Sequence, residues 1–101
     1  MEVKGKEKNK WIDDCYLLMG KALFYKQEYG KAIEMFGYVN REYSGEVADL
    51  AVLWSTRAHI EMGNFTTANK QLLYLESDAK LSKDDLALFE EIKANYHLKK
   101  E

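Results

Sequence analysis

Residues 13–43 read DDCYLLMGKALFYKQEYGKAIEMFGYVNREY. Apolar residues recur at intervals of three and four on both sides of a polar turn, so this stretch predicts two helices joined as a hairpin. Gly20 and Ala32 are small enough to let the two helices approach closely, and Phe36 fills the space beside that crossing. The apolar side of the first helix is predicted to carry Ile12, Cys15, Tyr16, Met19, Ala22 and Leu23.

The hairpin pattern returns further along the chain at a spacing of 36 residues. A third helix is predicted over about residues 47–62, and Gly63 with Asn64 forms the turn into a fourth over about 65–77. Ser82 and Asp85 resemble a capping box that opens a fifth helix, which ends near residue 99. The equivalent pairs are Ala22 and Ala58, Tyr29 and Phe65, Ala32 and Ala68, and Phe36 and Leu72.

These features predict an all-α fold of about five helices. Residues 1–9 hold three lysines and two glutamates, and they are expected to form a flexible N-terminal segment or an expression-derived edge. Residues 10–101 are expected to form one domain, with repeat one at about 13–46, repeat two at about 49–80 and a half repeat at about 82–100.

Composition narrows the classes of partner. The chain has 101 residues and a formal net charge of −2, so it lacks the basic field that would hold a nucleic acid backbone. It has no apolar run of roughly 18 residues, the length that a spanning helix needs, so we expect no direct membrane insertion by this chain. The N-terminus also lacks the apolar core of a secretory signal.

Few side chains have the arrangement of a catalytic or metal-binding site. His59 and His97 have no further ligands at metal-binding spacing, and the acidic pairs lie at helix starts, where the helix dipole favours carboxylates. Cys15, the only cysteine, is expected to be a small core residue. No catalytic residue, cofactor or metal is therefore predicted, and we expect a protein that is not an enzyme.

The hairpin resembles the tetratricopeptide repeat (TPR) family, whose pattern is W-x2-L-G-x2-Y, A-x3-F and P. The second repeat departs from it, with Val52 where a large aromatic residue is usual and Thr56 where glycine is usual. The resemblance implies hairpins stacked as a short right-handed superhelix. The matching residues in the first repeat are Tyr16, Met19, Gly20, Leu23, Ala32 and Phe36, with Ser44 in place of proline.

The stretch at 13–43 and the segment LWSTRAHIEMGNF at 53–65 also resemble the periplasmic TPR lipoproteins of Bacteroidetes, of the SprE/PorW type, associated with type IX secretion and gliding motility. That resemblance implies a periplasmic domain of an outer-membrane lipoprotein. Cys15 lies within a predicted helix without a preceding apolar signal, so it does not match the lipid-bearing cysteine of such proteins. The residues alone leave the compartment unknown.

In TPR domains the first helix of each repeat lines a concave groove that binds peptides or helices. Lys21 and Arg57 are equivalent in the two repeats and could together hold a carboxylate of a partner. Alternatively, they are ordinary solvated charges, and the aromatic residues beside them pack against the next repeat. The resemblance places eight residues in the groove: Leu17, Lys21, Phe24, Tyr25, Leu53, Arg57, Ile60 and Glu61.

Leu17 and Leu53 occupy positions where the family's two-carboxylate clamp has polar donors, so that clamp is not reproduced. The sequence therefore predicts a protein-interaction scaffold, within a larger cell-envelope protein, that binds a peptide or helix of unknown identity. The alternative is a self-assembly module that forms a homodimer through its uncapped terminal helix.

Overall fold

A computed structural model describes residues 10–79 and 81–100, with side chains from residue 15 onward. Within these residues there are five helices and no strands, which confirms the predicted all-α fold of about five helices. The segment 1–9, expected to be flexible, lies outside the described residues. The helices are α1 (Lys10–Tyr25), α2 (Tyr29–Glu42), α3 (Glu46–Met62), α4 (Phe65–Ser77) and α5 (Lys83–Lys100).

Helix α3 is the centre of the fold, because it contacts α1, α2, α4 and α5. One hydrophobic core lies where α1, α2 and α3 meet, and it contains Phe36, Val39 and Trp54. A second core lies where α3, α4 and α5 meet, and it contains Leu53 and Phe89. Helix α3 is thus covered on two sides. The limits of the repeats and the right-handed superhelix stay predictions.

The two helical hairpins turn in the same way. In each, one residue of the turn that follows the first helix has a left-handed backbone, with φ 66° at Gln27 and φ 83° at Gly63. The following amide donates to a carbonyl five residues back, from Glu28 to Leu23 and from Asn64 to His59, each at 2.9 Å. This is a Schellman turn, and it confirms the turn predicted at Gly63.

The predicted start of α5 is also confirmed. The backbone amide of Asp85 donates to Ser82 Oγ at 3.2 Å. This bond satisfies one of the amides that a helix leaves without an internal partner at its N-terminus.

Helices α1 and α2 cross closely, as the small residues Gly20 and Ala32 predicted. Gly20 is buried, and a Cβ atom there would lie 2.4 Å from Phe36 Cε1. The second hairpin has the larger Thr56 and the smaller Leu72 at the equivalent positions, and both are buried. The Thr56 hydroxyl lies 2.8 Å from Gln71 Oε1, to which it can donate across to α4. In the second hairpin, a larger residue on the first helix thus faces a smaller residue on the second helix.

The prediction of which α1 residues face the core is wrong in part. Met19 is 49% exposed and Cys15 is also exposed, whereas Leu17 and Phe24 are buried in the first core. Helix α1 has apolar residues on nearly every side, so the periodicity alone did not decide which of them face α2 and α3.

Candidate functional site

Aromatic rings from α1 and α3 meet around Trp54. The ring of Phe24 lies 5.7 Å from that of Trp54 at an interplanar angle of 83°, and the ring of Tyr25 lies 5.9 Å from it at 71°. These are edge-to-face arrangements, which the quadrupoles of aromatic rings favour. They hold the Trp54 side chain of α3 against α1.

Two basic side chains lie over these rings. The guanidinium carbon of Arg57 is 4.9 Å from the ring centres of both Phe24 and Trp54, and Lys21 Nζ is 5.1 Å from the centre of Trp54. Arg57 also donates to Tyr25 Oη at 3.5 Å. We call Lys21, Phe24, Tyr25, Trp54 and Arg57 the cation–aromatic cluster. Such contacts contribute about 0.5–2 kcal/mol each, depending on burial.

The two cations of the cluster have aromatic neighbours rather than acidic ones. Among residues 15–79 and 81–100, neither Lys21 nor Arg57 forms an ion pair. Both side chains are half-buried, and Tyr25 is 65% exposed. Lys21, Tyr25 and Arg57 therefore present two positive charges and an aromatic ring to the solvent.

Burial corrects the groove prediction for four of its eight residues. Leu17 and Phe24 belong to the first core, and Leu53 and Ile60 belong to the second, with 0% and 1% of their surfaces exposed. The reason is the central position of α3, which is covered by α1 and α2 on one side and by α4 and α5 on the other. These four apolar side chains cannot contact a partner without opening the fold.

Glu61, also expected in the groove, is engaged by α5. Asn95 Nδ2 donates to Glu61 Oε2 at 3.3 Å, and Lys99 Nζ lies 3.6 Å from Glu61 Oε1. The carboxylate therefore helps to hold α5 against α3. Of the predicted groove residues, Lys21, Tyr25 and Arg57 are the three that lie together at the surface.

Two polar contacts elsewhere are structural. Asp49 is buried on α3 and accepts a hydrogen bond of 2.5 Å from Tyr74 Oη of α4, and this bond raises the pKa of Tyr74. No sequence pattern pointed to this pair. Burial lowers the pKa of His59, and its Nδ1 lies 3.3 Å from Asn64 Nδ2 in the following turn.

Within the described ranges, no group of three or more His, Cys, Asp or Glu side chains is arranged to hold a metal ion. No helix there is long and apolar enough to cross a membrane. Cys15, expected in the core, is exposed.

The chain matches no family model, no curated protein and no solved structure. The fold and the cation–aromatic cluster are therefore the basis for assigning a function.

Proposed function

We propose that this chain is a non-enzymatic protein-interaction scaffold that binds an acidic segment of a partner protein at Lys21, Tyr25 and Arg57. One observation carries the proposal: two cations converge on Trp54, and neither has an acidic partner among the described residues. A carboxylate brought by a partner would complete this arrangement.

The chemistry of the cluster suits an acidic ligand. The guanidinium carbon of Arg57 lies 4.9 Å from the centres of the Phe24 and Trp54 rings, and the N–H groups that do not face these rings or Tyr25 Oη can donate to a carboxylate. Lys21 adds a second positive charge within the same site. The exposed ring of Tyr25 can cover an apolar side chain next to the carboxylate, as aromatic anchors do at protein interfaces.

The resemblance to TPR proteins belongs to the same proposal. The repeat of 36 residues and the two hairpins with equivalent turns are consistent with a short stack of TPR-like units. A place within a larger periplasmic, outer-membrane-associated protein of the type IX secretion or gliding apparatus follows from the closer resemblance. It would supply a setting in which such a scaffold holds other envelope proteins.

The binding test uses a short fluorescein-labelled peptide built from Leu-Glu-Glu units, titrated with the whole chain and followed by fluorescence anisotropy. We expect a dissociation constant on the order of 10–100 µM at low salt, because only a few side chains form the site. A matched Leu-Gln-Gln peptide should bind at least about tenfold more weakly. Added salt should weaken binding of the acidic peptide.

Matched variants test whether binding requires these two cations or only the overall charge of the chain. Lys21→Gln with Arg57→Gln should abolish the binding, while Lys70→Gln with Lys83→Gln removes the same charge from exposed positions elsewhere and should leave binding within about twofold. Equal binding by the parent chain and by the Lys21→Gln, Arg57→Gln variant would contradict the proposal.

The homodimer alternative has one supporting observation. Leu98 on α5 is 73% exposed, the largest exposed fraction among the large apolar side chains described. Light scattering over a range of concentrations tests it. A mass that doubles in the parent but not in Leu98→Gln would favour the dimer, and a monomer at every concentration would exclude it.

A further inference from the structure

Four residues form an exposed apolar stripe along α1. Cys15, Leu18, Met19 and Ala22 recur at the helical spacings of three and four, so they lie on one face of the helix. All four are exposed, and Leu18 is exposed to 66%. We call these four residues the α1 stripe. An exposed apolar face of this kind ordinarily marks a surface that contacts another molecule.

The internal repeat indicates what covers such a stripe. At a shift of 36 residues, the α1 stripe corresponds to Ala51, Trp54, Ser55 and Ala58 on α3, and all four are buried. Three of them, Ala51, Trp54 and Ala58, belong to the core that α3 forms with α1 and α2. The same helix face is thus covered in α3 by the preceding hairpin, whose Phe36 ring lies 6.4 Å from that of Trp54.

Helix α5 provides an internal contrast. A second shift of 36 residues places Ala87, Glu90, Glu91 and Ala94 at the same positions, and all four are exposed. Although a hairpin precedes α5, two of these residues are charged, and α5 instead buries Phe89, Ile92 and Tyr96. Of these two helices, the one whose face carries no charge buries it, and the one whose face carries two glutamates leaves it exposed. The α1 stripe has the apolar composition found on α3, not the charged one found on α5.

We propose that the α1 stripe is a docking surface for an amphipathic helical hairpin of the same build as α1–α2, seated on α1 as that hairpin is seated on α3. The occupant's second helix would lie where α2 lies on α3, and it would bring a large apolar side chain in the position of Phe36. This surface is separate from the proposed acidic-peptide site, which is formed by other residues of α1 together with α3.

The test supplies the hairpin directly. A duplicate of residues 10–45, which is one period of 36 residues, is inserted between residues 9 and 10 of the full chain, with Cys15→Ala in the duplicate alone. The native Cys15 then remains the only thiol and reports on the stripe. Its reaction with a water-soluble disulfide reagent should be slower than in the parent by at least about tenfold, because the reaction requires access to the sulfur.

The control changes the stripe itself. In the extended chain, Leu18→Gln with Met19→Gln in native α1 should return the rate to within about threefold of the parent's rate. In the unextended chain these substitutions should leave Tm within about 2 °C, because both side chains are exposed.

Two results would overturn the proposal. One is a native Cys15 that reacts in the extended chain as fast as in the parent, whether or not circular dichroism detects added helix from the duplicate. The other is a parent chain whose Cys15 becomes protected with rising concentration as a dimer forms, which would assign the stripe to a second copy of the chain.

Discussion

The ring of Phe36 lies so close to the backbone of Gly20 that a Cβ atom at position 20 would overlap it, at 2.4 Å from Cε1 and 2.8 Å from Cδ1. Phe36 is fully buried and has little room to move away. Alanine in place of glycine inside a helix ordinarily stabilises by about 0.5–1 kcal/mol. Here we expect Gly20→Ala to lower the free energy of unfolding by about 1–3 kcal/mol, as overpacking does. Urea unfolding followed by circular dichroism measures it.

Gly37 on α2 is the matched control. A Cβ atom there would meet only Arg41 Nη1, at 3.4 Å, and that side chain is exposed. We expect Gly37→Ala to raise the free energy of unfolding by about 0.5–1 kcal/mol. If the two alanine variants prove equally stable, the close crossing at Gly20 is contradicted.

The second hairpin suggests how the overlap at Gly20 can be relieved. It has Thr56 and Leu72 where the first has Gly20 and Phe36, so the residue on its first helix is larger and the residue on its second helix is smaller. We expect Phe36→Leu to reduce the cost of Gly20→Ala, with a favourable coupling of about 1 kcal/mol or more in a double-mutant cycle. Additive effects of the two substitutions would show that the two positions are not in contact.

Much of the fold could be predicted because its signals are local. The fourth helix was expected over about residues 65–77 and is Phe65–Ser77, since Gly63 ends the preceding helix with a left-handed turn. The face that α1 buries could not be predicted, because residues 15–19 are all apolar or aromatic and the sequence does not rank them.

The candidate site was also predicted only in part. The 36-residue repeat makes Lys21 and Arg57 equivalent, and both lie over Trp54. The repeat did not reveal that Leu53 and Ile60 are buried, because their burial depends on α5 packing against α3. That contact joins segments far apart in the chain, and no local pattern specifies it.

The turn at Gln27 offers a stabilising substitution. Gln27 has φ 66°, a left-handed conformation that costs a residue with a Cβ atom roughly 1–2 kcal/mol, whereas the equivalent Gly63 has φ 83° without that cost. Part of the gain is lost to the greater freedom of glycine in the unfolded chain. We expect Gln27→Gly to raise the free energy of unfolding by about 0.5 kcal/mol and Gly63→Gln to lower it by about 1 kcal/mol. A Gln27→Gly variant that is no more stable than the parent, or a Gly63→Gln variant that is no less stable, would contradict this.

Stability should depend on pH through His59. Burial lowers its pKa below the usual 6.5, so the folded chain favours the neutral ring and the unfolded chain binds the proton more readily. The stability is therefore full above pH 6.5 and declines as the pH falls through the lowered pKa. Between about pH 7.5 and about pH 5, the parent should lose more stability in urea than His59→Gln does.

His97, which is exposed on α5, gives the control for this pH dependence. His97→Gln should keep the pH dependence of the parent. If His59→Gln also keeps it, the ring of His59 is not the group responsible.

The hydrogen bond from Tyr74 Oη to the buried carboxylate of Asp49 joins α4 to α3 at 2.5 Å. Tyr74→Phe removes this donor, so we expect the free energy of unfolding at neutral pH to fall by about 1–2 kcal/mol, as for other hydrogen bonds to charged groups that are partly exposed.

The bond also raises the pKa of Tyr74 above its usual 10.0, so this contribution is complete below pH 10.0 and is lost as the pH rises through the raised pKa. Tyr38→Phe, on α2, should cost less at neutral pH, because the Tyr38 hydroxyl forms its hydrogen bond with the neutral hydroxyl of Tyr16 and not with a carboxylate. Urea unfolding of both variants measures the difference, and equal losses would contradict a specific role for the Asp49 pair.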